Sequence, residues 1–433
     1  MNTIQRAHRA RAVLCLAVGT ALSTVAMAAG GHGTREQAPP ALVAAVRAVW
    51  ERNAAVQAAE AKVIEAQSLA QAAAKPLYNP ELELAVQNAD VDTRSVGLAQ
   101  QIDWSGKRRA RTAAADAGTR AVEAERDGVR QSVALDWLRG AAAWQVSRAR
   151  VALGAERVDL LAQFVALAQK RLRAGDIPAL ERDLAELALQ EARAQQAELL
   201  AESAKARQAL QSVGGVVAEL PSMLDAPPAV DTRALPDAAL AALPEVRRAE
   251  AEREIAEARV SVAERDRRPD PSIALTTGRV TDGPFNDRLV GVTVRVPLFV
   301  RNDHRAETVA ARANAEAAEA GLRDTRTRAS AQAEQARESY LALREAWIGW
   351  RDSRAARAGD RAALLQKLWE AGELSTADYL VQLRQSLDTE LAATGVRARV
   401  WQGWADWLAA SGGLAAWLDL ADVPAASNQD MSR

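Results

Sequence analysis

"RLRAGDIPALERDL", residues 171–184, and "KLWEAGELSTADYL", residues 367–380, carry one phrase at two places in the chain. Ala174-Gly175-Asp176-Ile177 matches Ala371-Gly372-Glu373-Leu374, 197 positions later. Three further pairs keep the same order: Asn79-Pro80 with Asp270-Pro271, Val96-Gly97 with Val290-Gly291, and Gly214-Gly215 with Gly412-Gly413. Their offsets are 191, 194 and 198, a slow drift that reads as a tandem duplication with small insertions. A shift of three inside a helix is nearly one turn, so the inward face is largely kept.

Between these markers each repeat reads as helix, strand, strand, long helix, helix. In the first, residues 40–74 contain no internal glycine and end at Lys75-Pro76, and residues 107–174 contain no proline. That predicts one helix over Pro40–Ala74, a long helix over 107–174 and a third over 178–212, ending at Gly214-Gly215. The second repeat predicts 236–268, 301–371 and 375–410 in the same roles. Two shorter helices stacked end to end match one long antiparallel partner, the arithmetic of a coiled-coil rod. The boundaries follow: a first repeat over 29–215, a Pro-rich link over 216–243, a second repeat over 244–413 and a tail over 414–433.

The strands decide between a fibrous rod and something else. Strands are expected at about 81–89, 95–103, 271–279 and 289–298. Leu82, Leu84 and Val86 alternate with Glu83, Ala85 and Gln87, and Val290, Val292, Val294, Val296 and Leu298 alternate with Gly291, Thr293, Arg295 and Pro297. An apolar face opposite a small or polar one is the pattern of a membrane β-barrel with a wet lumen, and also of a half-buried soluble sheet. On the barrel reading Glu83, Gln101, Thr293 and Arg295 line the lumen. Tyr78, Trp104 and Phe299 fall at the strand ends next to the helices, where an interfacial aromatic girdle lies. Four strands cannot close a barrel in lipid, so several chains must share one, and three chains give 12 strands continued by 12 helical staves.

The N-terminus fits export. Arg6, Arg9 and Arg11 precede an apolar run from Ala12 to Val25 and Ala26-Met27-Ala28, which predicts a signal peptide over 1–28. Removing those three arginines from 55 basic residues leaves 52 against 56 acidic ones, which gives no bulk attraction to nucleic acid. The single cysteine, Cys15, lies inside the predicted signal segment, and no later stretch reaches 18 uninterrupted apolar residues.

No catalytic, cofactor-binding or metal site is expected. Beyond the signal segment the histidines are His32 and His304 and the methionines Met223 and Met431, too few and too scattered for a ligand cluster. "SGKRRAR", residues 105–111, lacks the upstream glycine and following Ser/Thr of a phosphate loop; it reads as a contact for lipid phosphates or as a solvated helix start. Trp401, Trp404 and Trp407 recur at helical spacing, as packed core or as a partner contact.

The duplicated layout, the two strand hairpins and the turns at Gly175 and Gly372 together resemble the TolC-like outer-membrane factor family of efflux and secretion systems. "VPLFVRN" (296–302) looks like that family's strand-to-helix junction, "IDWSGKRRAR" (102–111) like its counterpart, and "GKR" with "PLFVRN" is most similar to CzcC-like heavy-metal efflux members. The resemblance implies a mainly α fold with a small β part: a homotrimer whose 12-stranded outer-membrane barrel continues into a periplasmic α-helical barrel. It further implies a passive exit duct and no enzyme, joined to a periplasmic adaptor and an inner-membrane resistance-nodulation-division type pump. The expected cargo is heavy-metal cations; drugs or type I secreted proteins are the alternative cargo, and a soluble periplasmic scaffold the alternative role. In this frame Gly175, Asp176, Gly372 and Glu373 form adaptor-docking turns, and Glu181 and Asp378, six residues after each glycine, are candidates for a periplasmic gate. Many relatives carry a lipid on an N-terminal cysteine, which this sequence lacks at the expected position.

Overall fold

The computed structural model describes residues 38–88, 90–216, 228–230, 235–352 and 358–418. The signal peptide, most of the Pro-rich link, and the tail beyond 418 lie outside the described residues, as do His32, Met223 and Met431.

The expected first helix is two. Asn53 takes an extended conformation and its side-chain oxygen accepts from Ala55 N at 2.9 Å and Val56 N at 3.3 Å, ending α1 (Pro40–Arg52) and capping α2 (Ala54–Ala73). The long helix α3 (Lys107–Ala174) has 68 residues, about 100 Å at 1.5 Å per residue. It is followed by α4 (Ala179–Ser212), the short α5 (Asp237–Ala241), and α6 (Pro244–Asp266), which starts where Pro244 fixes the first helical turn. The second long helix starts four residues later than expected, as α7 (Arg305–Asp352), and continues as α8 (Ala358–Glu370) beyond undescribed residues 353–357. The late start has a local cause: Asn302 and Asp303 accept from the backbone of His304 and Arg305, and His304 sits at φ 55°. Finally α9 (Thr376–Ala410) leads to α10 (Leu414–Trp417).

Four strands form one antiparallel sheet in chain order: β1 (Glu81–Gln87), β2 (Asp92–Gln101), β3 (Ser272–Asp282) and β4 (Phe285–Arg295). The second hairpin is tighter than the sequence reading allowed. Gly283 at φ 54° lets two residues, Gly283 and Pro284, reverse the chain, so β3 and β4 run on into positions expected to be loop. At the other end Pro271 and Pro297 lack the N–H that would extend the ladder.

The helices pack as four staves in the order of the strands: α2 with α4, then α3, then α6 with α9, then α7 with α8. The core is divided along them. One cluster near mid-length gathers Leu42, Val46, Trp137, Leu210, Tyr340, Trp401, Trp404 and Trp407, so the tryptophan stripe is packed interior. A second lies near the Gly175 and Gly372 turns, around Leu161, Phe164, Trp369 and Tyr379.

Candidate functional site

The sheet separates two faces. Leu82, Leu98, Leu275 and Val292 stand opposite one another in one row, and Leu84, Val96, Thr277 and Val290 in the next. These side chains are exposed, Leu84 by 74% and Val290 by 72%. The alternate rows hold Glu83, Gly97, Thr276 and Gly291, then Glu81, Ala99, Ala274 and Thr293, then Gln101, Ser272 and Arg295. All four expected lumen residues therefore share the face opposite the apolar one. That face is crowded at Gly278, where a Cβ would collide with the Arg94 carbonyl and Ser95, so the strands approach closely there only because the residue is glycine, and open at Gly291. In the single chain β1 and β4 each leave one edge without a strand neighbour.

Where strands meet helices, a buried polar cluster ties the two halves of the chain. Lys107 Nζ lies 3.0 Å from Asp270 Oδ2, with both side chains buried, and the Tyr78 hydroxyl donates to the same oxygen at 2.7 Å. Lys107 is therefore no solvated helix start, as the basic run suggested; burial against Asp270 holds it, while Arg108 and Arg109 remain exposed. Burial first, then the hydrogen bond to Asp270 and its charge, push the Tyr78 hydroxyl up to about 12, so it stays a donor. Asp103 accepts from Lys107 N at 2.7 Å and Arg108 N at 2.8 Å, starting α3 behind Gly106 at φ 73°. Burial raises the Asp103 pKa, but the N–H groups of Arg108, Lys107 and Gly106 outweigh it and hold the carboxyl below its ordinary value. Of the three expected girdle aromatics, Trp104 is exposed with its indole donating to Pro269 O at 2.7 Å. Phe299 is half-buried edge-on to His304, and Tyr78 belongs to the Asp270 cluster. Asp270 appeared in the sequence only as a repeat marker; nothing local announced its partner.

At the opposite end the two repeated phrases meet. Gly175 at φ 84° and Gly372 at φ 76° each close a helix the same way. Gly175 N donates to Leu172 O and Asp176 N to Arg171 O; Gly372 N donates to Trp369 O and Glu373 N to Leu368 O. Ile177 and Leu374 then fold back onto the second core cluster. The turns are clamped together: the Arg171 guanidinium lies 4.6 Å from the Trp369 ring centroid and donates to Glu370 O at 2.8 Å. The Trp369 indole donates to Thr376 Oγ1 at 3.0 Å, and that hydroxyl donates to Glu181. Asp378 is exposed and receives the Ser375 hydroxyl at 2.7 Å, while its own N–H donates back at 3.1 Å, an N-terminal cap for α9. The structure thus brings Glu181 next to the start of α9 and gives both acids a partner. Asp176 and Glu373 are exposed at the turn tips. Among the described residues no group of three or more His, Cys, Asp or Glu side chains is arranged to hold a metal, and no helix is long and apolar enough to cross a membrane.

Four strands continuing four helical staves, with paired glycine turns at the far end, define a class. The family model described as outer membrane efflux protein matches residues 45–216 and 235–413, and the chain belongs to that family. It is 30% identical over 236 residues to the cobalt-zinc-cadmium resistance protein CzcC of Cupriavidus metallidurans, a match spanning 53% of this chain and 56% of that protein. Its fold is that of the crystal structure of CusC (TM-score 0.73, 16% identity, 87% of this chain and 93% of that one). It is likewise shared with the open-state MtrE outer membrane channel of Neisseria gonorrhoeae (TM-score 0.69, 17% identity, 86% and 89%).

Proposed function

We propose that three copies of this chain close a 12-stranded barrel in the outer membrane of a Gram-negative bacterium and form the passive exit duct of a tripartite efflux pump. The observation that carries this reading is the sheet: an exposed apolar face on one side, a polar face on the other, and two open edges. Open edges and exposed leucines are unfavourable in water, and both are resolved when neighbouring copies pair β1 with β4 in lipid. On this reading most of the chain hangs in the periplasm, with Gly175, Asp176, Gly372 and Glu373 meeting a periplasmic adaptor. Glu181 and Asp378 border the inner opening, Glu83, Gln101, Thr293 and Arg295 face the lumen, and Tyr78, Trp104 and Phe299 lie at membrane-interface level. Cargo is delivered by an inner-membrane resistance-nodulation-division type pump. The likeness to CzcC favours heavy-metal cations as that cargo. Deleting the gene should lower tolerance to zinc, cobalt or cadmium and leave drug tolerance unchanged; the opposite pattern in growth assays would move the chain to a drug or protein exporter.

A further inference from the structure

Above the apolar rows of the sheet, toward the hairpin tips, the next row on the same face is Val86, Arg94, Arg279 and Arg288. Arg94 stands directly opposite Arg279, and Arg279 directly opposite Arg288, so three guanidinium groups occupy adjacent strands across about 10 Å. All three are exposed, and among the described residues none has a carboxylate within 4.0 Å. Asp287 belongs to the opposite face, and Asp92, one row nearer the tip on the arginine face, makes no ion pair with Arg94. Like charges directly opposite one another in a sheet are unfavourable when nothing neutralises them. The row's height supplies the missing partner. In β4 the apolar alternation runs from Val290 to Val294, and it continues in sequence beyond the strand's end at Arg295 through Val296 and Leu298. At strand rise Val290 to Leu298 corresponds to about 27 Å, or about 20 Å along the normal at a tilt near 40°, most of a hydrocarbon band. Arginines one row beyond it fall at headgroup level, where a charge on the lipid face costs little.

We infer that Arg94, Arg279 and Arg288 form a binding row for phosphate-bearing lipid headgroups in the outer leaflet. Guanidinium forks match phosphate oxygens in pairs, and three in line cover more than one phosphate. The row anchors the barrel's height as the aromatic residues do at its other rim. This inference rests on the outer-membrane barrel reading and is tested so that the two can fail separately.

The full chain, purified in detergent, is reconstituted into phosphatidylcholine vesicles containing trace spin-labelled phosphatidic acid or spin-labelled phosphatidylcholine. The preference of the motionally restricted shell for phosphatidic acid is then read from the spectra. Wild type should prefer it about fivefold or more. Replacing all three (Arg94→Gln, Arg279→Gln, Arg288→Gln) should bring the preference to about one, while the triple lysine variant should keep an intermediate value because charge survives without the fork. Added inorganic phosphate should not compete. Insertion with a restricted shell but no preference, or a preference unchanged in the glutamine variant, would overturn the arginine row alone. Loss of the preference on adding inorganic phosphate would show an ion site rather than a lipid one and overturn it too. No restricted shell with either lipid would sink the barrel reading and the row with it.

Discussion

Lys107 and Asp270 stand 163 positions apart and pair at 3.0 Å in a buried corner between β2, α3 and the start of β3, with the half-exposed Asp266 3.9 Å from the same ammonium. Removing one partner strands the other charge away from water. Lys107→Met should therefore destabilise the fold by about 3–5 kcal/mol, whereas Lys107→Met with Asp270→Leu should recover most of that loss; denaturant melts of the detergent-solubilised protein would check it. Glu181 and Asp378 behave differently, because each can keep its hydrogen-bonded partner as an amide. Glu181→Gln with Asp378→Asn should leave assembly intact while weakening cation preference and block by divalent cations in single-channel recordings. Unchanged selectivity would remove both from the gate and leave Asp378 as the partner of the Ser375 helix cap. The two acids, six residues after each glycine, stood out through the resemblance to TolC-like proteins rather than through spacing alone. The sequence did not make Lys107 visible, since a basic residue at a helix start is usually solvated and its partner lies in the other repeat.

The turns are the elements where local sequence spoke most plainly. Ala-Gly-acid-aliphatic encodes a helix stop, a left-handed residue, a polar tip and a side chain that folds back, and both copies do this. Nothing lies within 4 Å of a Cβ built on Gly175 or Gly372, so crowding is not the constraint there; backbone conformation is. Gly175→Val and Gly372→Val should each cost about 1–2 kcal/mol through the positive φ. The paired variant should lose export while still inserting as an oligomer; equal loss of both in membrane fractions would mark the turns as folding positions only. Other elements were less legible. Asn53 divides a stretch of good helix formers because its side chain caps the following turn, and its amide also donates to Val213 O at 3.0 Å, a contact 160 residues away. The Gly283-Pro284 turn shortened a loop that the alternation of apolar residues could not delimit, because ladder pairing continues past the apolar rows into polar ones.

At the scale of the molecule, the order of strands repeats the order of staves, and the sheet of one chain is left open at β1 and β4. The duplication and the period-two alternation carried that architecture in the sequence, since both survive without knowledge of any contact. What they could not carry was how the halves are joined: the Arg171–Trp369 clamp, the Asp270 corner and the tryptophan-lined core each bring together residues from both repeats. If lipid and two further copies complete the sheet, the detergent-solubilised particle has a defined protein mass, measured by light scattering with the detergent contribution removed. Three chains per particle, with β signal retained, is expected. A monodisperse single chain that stays in solution without detergent would contradict it.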